Sequence, residues 1–216
     1  MGRNSSYGQG HIEFAYSFSM VCLACVYSTS SIAETEIPRD AIRYQAMLTR
    51  EARYEWGMDA PIAALAAQLA QESDFRADAK SPFASGLSQF TTATSIWISS
   101  LYPQLGSPAP LDPQWAIRAM ILYDKRLHDG INPAVDECSR YSFALSDYNG
   151  GSGWRIKRQK MSPQPGVYAI TSAFNPGISK ANQQQNQDYP FRIIYHWQPI
   201  FVSWSGPMVC LPKTGN

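Results

Sequence analysis

Apolar positions between residues 38 and 56 fall at Ala41, Tyr44, Leu48, Ala52 and Trp56, in steps of three and four. That spacing lines one face of a helix. Pro38 opens the run and Gly57 stops it. Asp59 is placed to cap a second helix, with Pro61 in its first turn, where a missing N–H costs little. This helix runs from Ile62 to about Asp74. It is rich in alanine, which loses no side-chain entropy, so propensity and pattern agree. Pro82 and Gly86 mark a turn. Residues 89–101 return to helical spacing, with Phe90, Ile96, Trp97 and Leu101 available for packing. Pro103, Gly106, Pro108, Pro110 and Pro113 predict a rigid surface connection. Helices follow over 114–128 and from Cys138 to Tyr148, the latter ended by Asn149, Gly150 and Gly151. The stretch from Gly151 to about Gln187 has few long apolar runs and reads as loop-rich. Tyr189 to Trp197 reads as a short helix or a strand. No repeat and no long two-residue alternation is present. The expected class is mainly alpha, with at most a small irregular or beta element.

Two features of the chain ends change this picture. Residues 14–33 contain an apolar centre from Met20 to Tyr27, followed by Ser31-Ile32-Ala33, a small-x-small site of the kind that precedes signal cleavage. The run is short and polar for a membrane span. Residues 1–33 are therefore expected to be an exported leader, with an uncleaved anchor or an unstructured cytosolic start as the alternatives. What remains is enough for one core, expected over 34–200, with 201–216 as a C-terminal tail. Of four cysteines in the chain, Cys138 and Cys210 lie beyond the leader. An oxidising compartment permits a bridge between them, and two separate thiols are the alternative. With no CxxC pair left and only His128 and His196 beyond the leader, a structural zinc site is not expected. The formal net charge of +1 demands no nucleic-acid partner.

The candidate chemistry centres on Glu72. Ile62, Leu65 and Leu69 advance along one helical face, and the same step reaches Glu72. A glutamate on an apolar face loses hydration when charged, which raises its pKa toward the range a general acid needs. The competing reading turns Glu72 to solvent in a last helical turn, or into an ion pair with Arg76. Ser81 and Gln89 can sit at the rim of one cleft with Glu72. Equally, Ser81 before Pro82 is ordinary turn chemistry, and Gln89 can cap the following helix. Tyr148 shares a helix side with Tyr141, Ala144 and Leu145. It is either a core tyrosine or a cleft residue whose hydroxyl donates to a sugar or to Glu72. Asn149 and the two glycines after it would let backbone approach a ligand closely.

Four sequence elements, in order, resemble the lytic transglycosylases that share the goose-type lysozyme fold. The resemblance is nearest to the compact exported form associated with bacterial secretion, conjugation or phage-like elements. The elements are Glu72-Ser73-Asp74-Phe75; Ala79-Lys80-Ser81 with Gly86-Leu87-Ser88-Gln89-Phe90; Ala144 with Tyr148-Asn149-Gly150-Gly151; and Tyr189-Pro190-Phe191-Arg192-Ile193 with Gln198-Pro199. They span about residues 45–200. Three departures stand out. The Gly-Ala-x-Gly turn is one residue shorter, as Phe83-Ala84-Ser85-Gly86. Thr92 occupies the position of a usual proline. The glutamate often found before the late Tyr-Pro element is replaced in the vicinity of Gln185-Asn186-Gln187.

The resemblance implies a single lysozyme-like, soluble lytic transglycosylase-like domain acting on peptidoglycan glycan strands in the periplasm. Glu72 would be the acid and then the base, with Ser81, Gln89, Tyr148 and Asn149 contacting substrate. No metal or organic cofactor is implied, and no nucleic acid. A secretion, conjugation or phage assembly is the implied setting. Ordinary glycosidases use two carboxyl groups. Asp78 and Asp147 keep open a hydrolytic muramidase or chitinase-like alternative. A non-catalytic wall-binding or assembly protein is the third reading.

Overall fold

The computed structural model describes residues 36–210. Helix α1 (Arg39–Trp56) buries Ala41, Tyr44, Leu48 and Ala52, the stripe that the spacing predicts. Helix α2 (Ile62–Ser73) is different: every residue from Ile62 to Ala70 is buried. A helix apolar on all sides belongs at the centre of a core. Alanine makes that possible, because short side chains let neighbours close in. Asp59 does not cap α2. Pro61 occupies the cap position and no side chain bonds the first turn.

A two-residue ladder follows, with β1 (Ala84–Ser85) antiparallel to β2 (Phe90–Thr91). Helix α3 (Thr92–Leu101) starts later than the sequence suggests, because the Thr91 side chain accepts from the Thr94 N–H and fixes the boundary. A 3₁₀ turn at Pro103–Leu105 leads to α4 (Pro113–Asp129), capped by Asp112. Helix α5 (Glu137–Gly150) is capped by Asp136.

The stretch expected to be loop-rich is largely helical: α6 (Ser152–Met161), α7 (Tyr168–Thr171) and α8 (Lys180–Phe191). These helices are held by buried polar groups, which apolar periodicity does not report. Arg158 donates to Asn186 at 2.6 Å, to Gln183 at 2.7 Å and to the Phe174 carbonyl at 3.2 Å. Arg155 pairs with Asp147 at 2.7 Å and donates to Gln159 at 2.9 Å. Buried polar groups are tolerated only when satisfied in this way.

Helix α8 runs through Pro190 into a π-helical turn (Arg192–Trp197), then a 3₁₀ segment (Gln198–Trp204). Both pack on α2. Phe201 and Trp204 are core residues, so the core extends past residue 200 into the expected tail. The end of that segment is pinned twice. Gln198 exchanges hydrogen bonds with the backbone of Val209 at 3.0 and 2.9 Å. Cys210 is bridged to Cys138 on α5. The expected leader and residues 211–216 lie outside the described residues.

The bridge closes a loop of sequence separation 72, for which chain entropy gives about 4 kcal/mol. Replacing both cysteines by serine is expected to lower the unfolding free energy by roughly 2–4 kcal/mol in denaturant titrations; an unchanged midpoint would show that Gln198 alone pins the segment. At Gly86, φ is +77° and an added Cβ would lie 1.7 Å from the Pro110 carbonyl oxygen. At Gly151, φ is +87° and an added Cβ meets nothing within 4 Å. Gly151→Ala should therefore cost only the penalty of a backbone conformation that favours glycine, roughly 1–3 kcal/mol, and Gly86→Ala clearly more. Equal unfolding midpoints for the two variants would contradict this placement.

Candidate active site

Glu72 lies in the last turn of α2, and the chain reverses immediately behind it. Asp74 and Phe75 both adopt left-handed backbone, with φ of 52° and 58°. Neither is glycine, so each is held there at a cost. The core supplies the restraint. Phe75 is fully buried, with ring centroids 5.6 Å from Phe201, 6.3 Å from Trp204 and 6.4 Å from Tyr44. The Phe of the Glu-Ser-x-Phe element is thus the anchor of the corner that ends the helix at Glu72.

The C-terminal segment closes over the same turn. The Tyr189 hydroxyl donates to Glu72 Oε1. Gln71 Oε1 accepts from Arg192 Nε at 3.2 Å and Trp197 Nε1 at 3.1 Å. Among the described residues Glu72 forms no salt bridge. Arg76, its proposed partner, instead donates to the Ser73 carbonyl at 3.1 Å. Burial pushes the Glu72 carboxyl up to about 7, and the Tyr189 bond opposes that rise. The residue as a whole is partly exposed. A largely buried carboxyl that exchanges its proton near neutrality can give it up and take it back in one reaction.

The other predicted site residues are placed as follows. Tyr148 stacks on Tyr189, with centroids 6.5 Å apart and planes 8° apart. It therefore belongs to the wall beside Glu72. Its hydroxyl, however, donates to the Ser88 carbonyl at 2.8 Å and not to Glu72. Gln89 has φ of 46°, and its amide donates to the Gly86 carbonyl at 2.9 Å and the Ala79 carbonyl at 3.3 Å. It secures the turn and does not cap α3. Its Oε1 has no bonded partner among the described residues, and the residue is partly exposed. Ser81 is exposed and closes its own turn, accepting from the Ala84 N–H at 3.0 Å.

Asn149 accepts from Asn186 at 3.3 Å and lines a pocket of about 310 Å³ with Trp154, Asn182 and Gln185. A Cβ on Gly150 would lie 2.6 Å from Asn186 Nδ2. The close approach that this glycine permits in the structure is made by Asn186. A larger cleft of about 720 Å³, lined in part by Trp97, Tyr123, Asp147 and Arg155, does not include Glu72. Tyr123 connects the two regions, its ring 5.5 Å from Tyr148 and 5.6 Å from Trp97.

Tyr189 bonds to Glu72 although the sequence pattern does not single it out as a site residue. It stands in the quoted Tyr-Pro-x-Arg-Ile element, so the signal was present, but its reach to Glu72 depends on how α8 folds back. Asp147 is buried against Arg155 and Asp78 is exposed. Neither bonds to Glu72. Among the described residues, no group of three or more His, Cys, Asp or Glu side chains could hold a metal ion.

No family model matches the chain, and no curated protein matches it. Solved structures do. The 70-kDa soluble lytic transglycosylase in complex with bulgecin A superposes with a TM-score of 0.56 at 20% identity, over 82% of this chain and 27% of that one. The 70-kDa soluble lytic transglycosylase from Escherichia coli gives 0.56 at 19% identity, over 76% and 25%. An inactive mutant of the lytic transglycosylase Slt from Pseudomonas aeruginosa gives 0.55 at 21% identity, over 78% and 26%. This chain spans about a quarter of the length of each. Its fold is thus mainly alpha and lysozyme-like, that of the soluble lytic transglycosylase domain.

Burial of Glu72 has a sign that stability measurements can read. Below its ordinary 4.5, folded and unfolded chains both hold the proton and the residue costs nothing. As pH rises toward about 7, the unfolded chain ionises first, and the folded state loses stability. Above about 7 the loss is complete, roughly 3 kcal/mol at 1.36 kcal/mol per pH unit. Glu72→Gln is therefore expected to be near neutral at about pH 4 and stabilising by up to roughly 3 kcal/mol at about pH 8. Tyr189→Phe removes a donor to the carboxylate, so Glu72 should titrate above its wild-type value. Denaturant titrations at the two pH values check the first and carboxyl NMR of labelled glutamate the second, and a wild-type Glu72 midpoint in the ordinary range would contradict the burial.

Proposed function

We propose that this protein is a lytic transglycosylase that cleaves the glycan strand of peptidoglycan, with Glu72 as its single acid and base. The observation that carries the reading is one largely buried carboxyl, raised toward neutrality by that burial and bonded by Tyr189 in a lysozyme-like fold, with no carboxylate bonded to it among the described residues. A two-carboxyl mechanism needs its partner at about 5–5.5 Å or 6.5–9.5 Å. Asp147 Oδ2 is paired with Arg155 and Asp78 is exposed, and neither bonds to Glu72, which favours a mechanism in which the substrate supplies the nucleophile.

In the first step, protonated Glu72 donates to the oxygen linking N-acetylmuramic acid to N-acetylglucosamine. The C1–O bond breaks and the glucosamine side leaves as an alcohol. The muramic acetamido oxygen closes on C1 and holds the positive charge. In the second step, ionised Glu72 takes the proton from the muramic C6 hydroxyl. That oxygen attacks C1, the acetamido bond opens, and a 1,6-anhydro end forms. Glu72 is again protonated. Tyr189 stabilises the ionised form between the steps, because its hydroxyl donates to the carboxylate. Gln89 offers its unbonded Oε1 to a sugar hydroxyl. The rings of Tyr148, Tyr123 and Trp97 extend an aromatic line away from the carboxyl on which sugar faces can pack.

The Cys138–Cys210 bridge supports placement in an oxidising compartment such as the periplasm. An exported leader at residues 1–33 belongs to the same reading.

The test is product analysis on purified peptidoglycan in oxygen-labelled water. The wild-type protein is expected to yield 1,6-anhydromuramic ends free of label. Labelled reducing ends would assign a hydrolytic muramidase instead, and no cleavage a wall-binding role. Glu72→Gln should fold and lower turnover by ~10⁴-fold or more, the upper end of general acid–base assistance, since one group serves both proton transfers. Turnover should fall as pH rises through about 7, where Glu72 loses the proton that the first step needs.

A further inference from the structure

One turn before Glu72 on α2, Gln68 faces Asp124 of α4 in the interior. Gln68 is wholly inaccessible and Asp124 is 3% exposed. Gln68 Nε2 donates to Asp124 Oδ1 at 3.2 Å. The other half of each group, Gln68 Oε1 and Asp124 Oδ2, is buried without a partner. If Asp124 is ionised, both of these atoms are acceptors, and neither can satisfy the other. A single proton resolves both. Placed on Oδ2, it donates to Gln68 Oε1 while Gln68 Nε2 continues to donate to Oδ1. Acid and amide then exchange two hydrogen bonds, and neither leaves a buried orphan.

We infer that Asp124 is held as a neutral acid, closes a reciprocal pair with Gln68, and through it positions the turn of α2 that carries Glu72. The surroundings agree. The ionisable groups that bear on Asp124 are Glu72 on α2, Tyr141 and Tyr148 on α5, Tyr189 on α8 and its neighbour Tyr123. Among the described residues, no lysine, arginine or histidine forms a salt bridge with Asp124. Burial pushes its carboxyl well above the ordinary range; the Gln68 bond opposes this, and the charge on Glu72 adds to it.

The functional consequence rests on the proposed reaction. Glu72 becomes an anion between the two steps. A second buried anion one turn away would oppose that ionisation and hold Glu72 protonated. A neutral Asp124 leaves Glu72 as the group that changes charge. Asp124 is a positioning residue in this scheme, since it touches Glu72 only through Gln68 and the helix.

The first measurement does not depend on activity. The full-length protein is prepared with carboxyl-labelled aspartate, and the Asp124 signal is assigned by its loss in Asp124→Asn. It should remain at the protonated position through the neutral range, where an ordinary aspartate is ionised. An ionised signal in that range, with Tyr141 as donor to Oδ2, overturns the inference whatever the fate of the transglycosylase reading. The second measurement uses turnover. Asp124→Leu leaves Gln68 unpaired and should lower kcat at least about tenfold, whereas Asp124→Asn, which keeps one donor and one acceptor, should restore most of it without moving the alkaline limb. A limb displaced downward in Asp124→Asn would mean that a buried negative charge had been removed, and would also overturn it.

Discussion

The contact between Tyr189 and Glu72 joins residues 117 positions apart in the chain, and most of the architecture serves to make it. Tyr189 reaches the carboxyl only because α8 returns across α5 and then bends through the π-helical turn onto α2. That return depends on the buried Arg158 network. The descent onto α2 depends on Phe201 and Trp204 filling the space around Phe75. The bridge at Cys210 and the Gln198–Val209 bonds keep the end of the chain from peeling away. A helix end of this kind would otherwise leave a glutamate in water with an ordinary pKa.

The strain at Asp74 and Phe75 belongs to the same economy of space. A helix that continued past Ser73 would carry the chain away from the region where Gln89 and Tyr148 stand. Two left-handed residues reverse it within one turn. A bulky residue at positive φ is unfavourable by itself. Here the favourable burial of an aromatic ring, roughly 1.5–3 kcal/mol for a side chain of this size, offsets the backbone cost. The corner and the core therefore stabilise each other, and the carboxyl sits where they meet.

The helices that carry an apolar stripe were legible in the sequence. Ala41, Tyr44, Leu48 and Ala52 predict α1, and the alanine run from Ile62 predicts α2 with Glu72 at its end. Helices α6 and α8 were not legible. Their buried residues include Arg155, Arg158, Gln183 and Asn186, which periodicity counts as solvent-facing. The same blindness explains the site. Glu72 was visible because it extends an apolar face. The bonds of Tyr148 and Asn149 were not, since Ser88 and Asn186, their partners, lie 60 and 37 positions away. Sequence order identifies which residues gather at a corner; it does not say which hydroxyl meets which carbonyl.

Gln68 and Asp124 mark the far limit of that legibility. On the sequence, Gln68 interrupts an alanine and leucine run, and Asp124 sits within the apolar side of α4. Each alone reads as an unfavourable burial. Together they form one buried polar joint between two central helices, immediately behind the carboxyl. An apolar pair of similar volume would hold the helices equally close, but without directionality. Two reciprocal hydrogen bonds fix rotation about the helix axis as well as distance. Rotation of α2 is what determines whether Glu72 meets Tyr189 or turns toward solvent. The placement of a costly polar pair one turn from Glu72 is therefore accounted for by the orientation it imposes, which apolar packing alone does not specify.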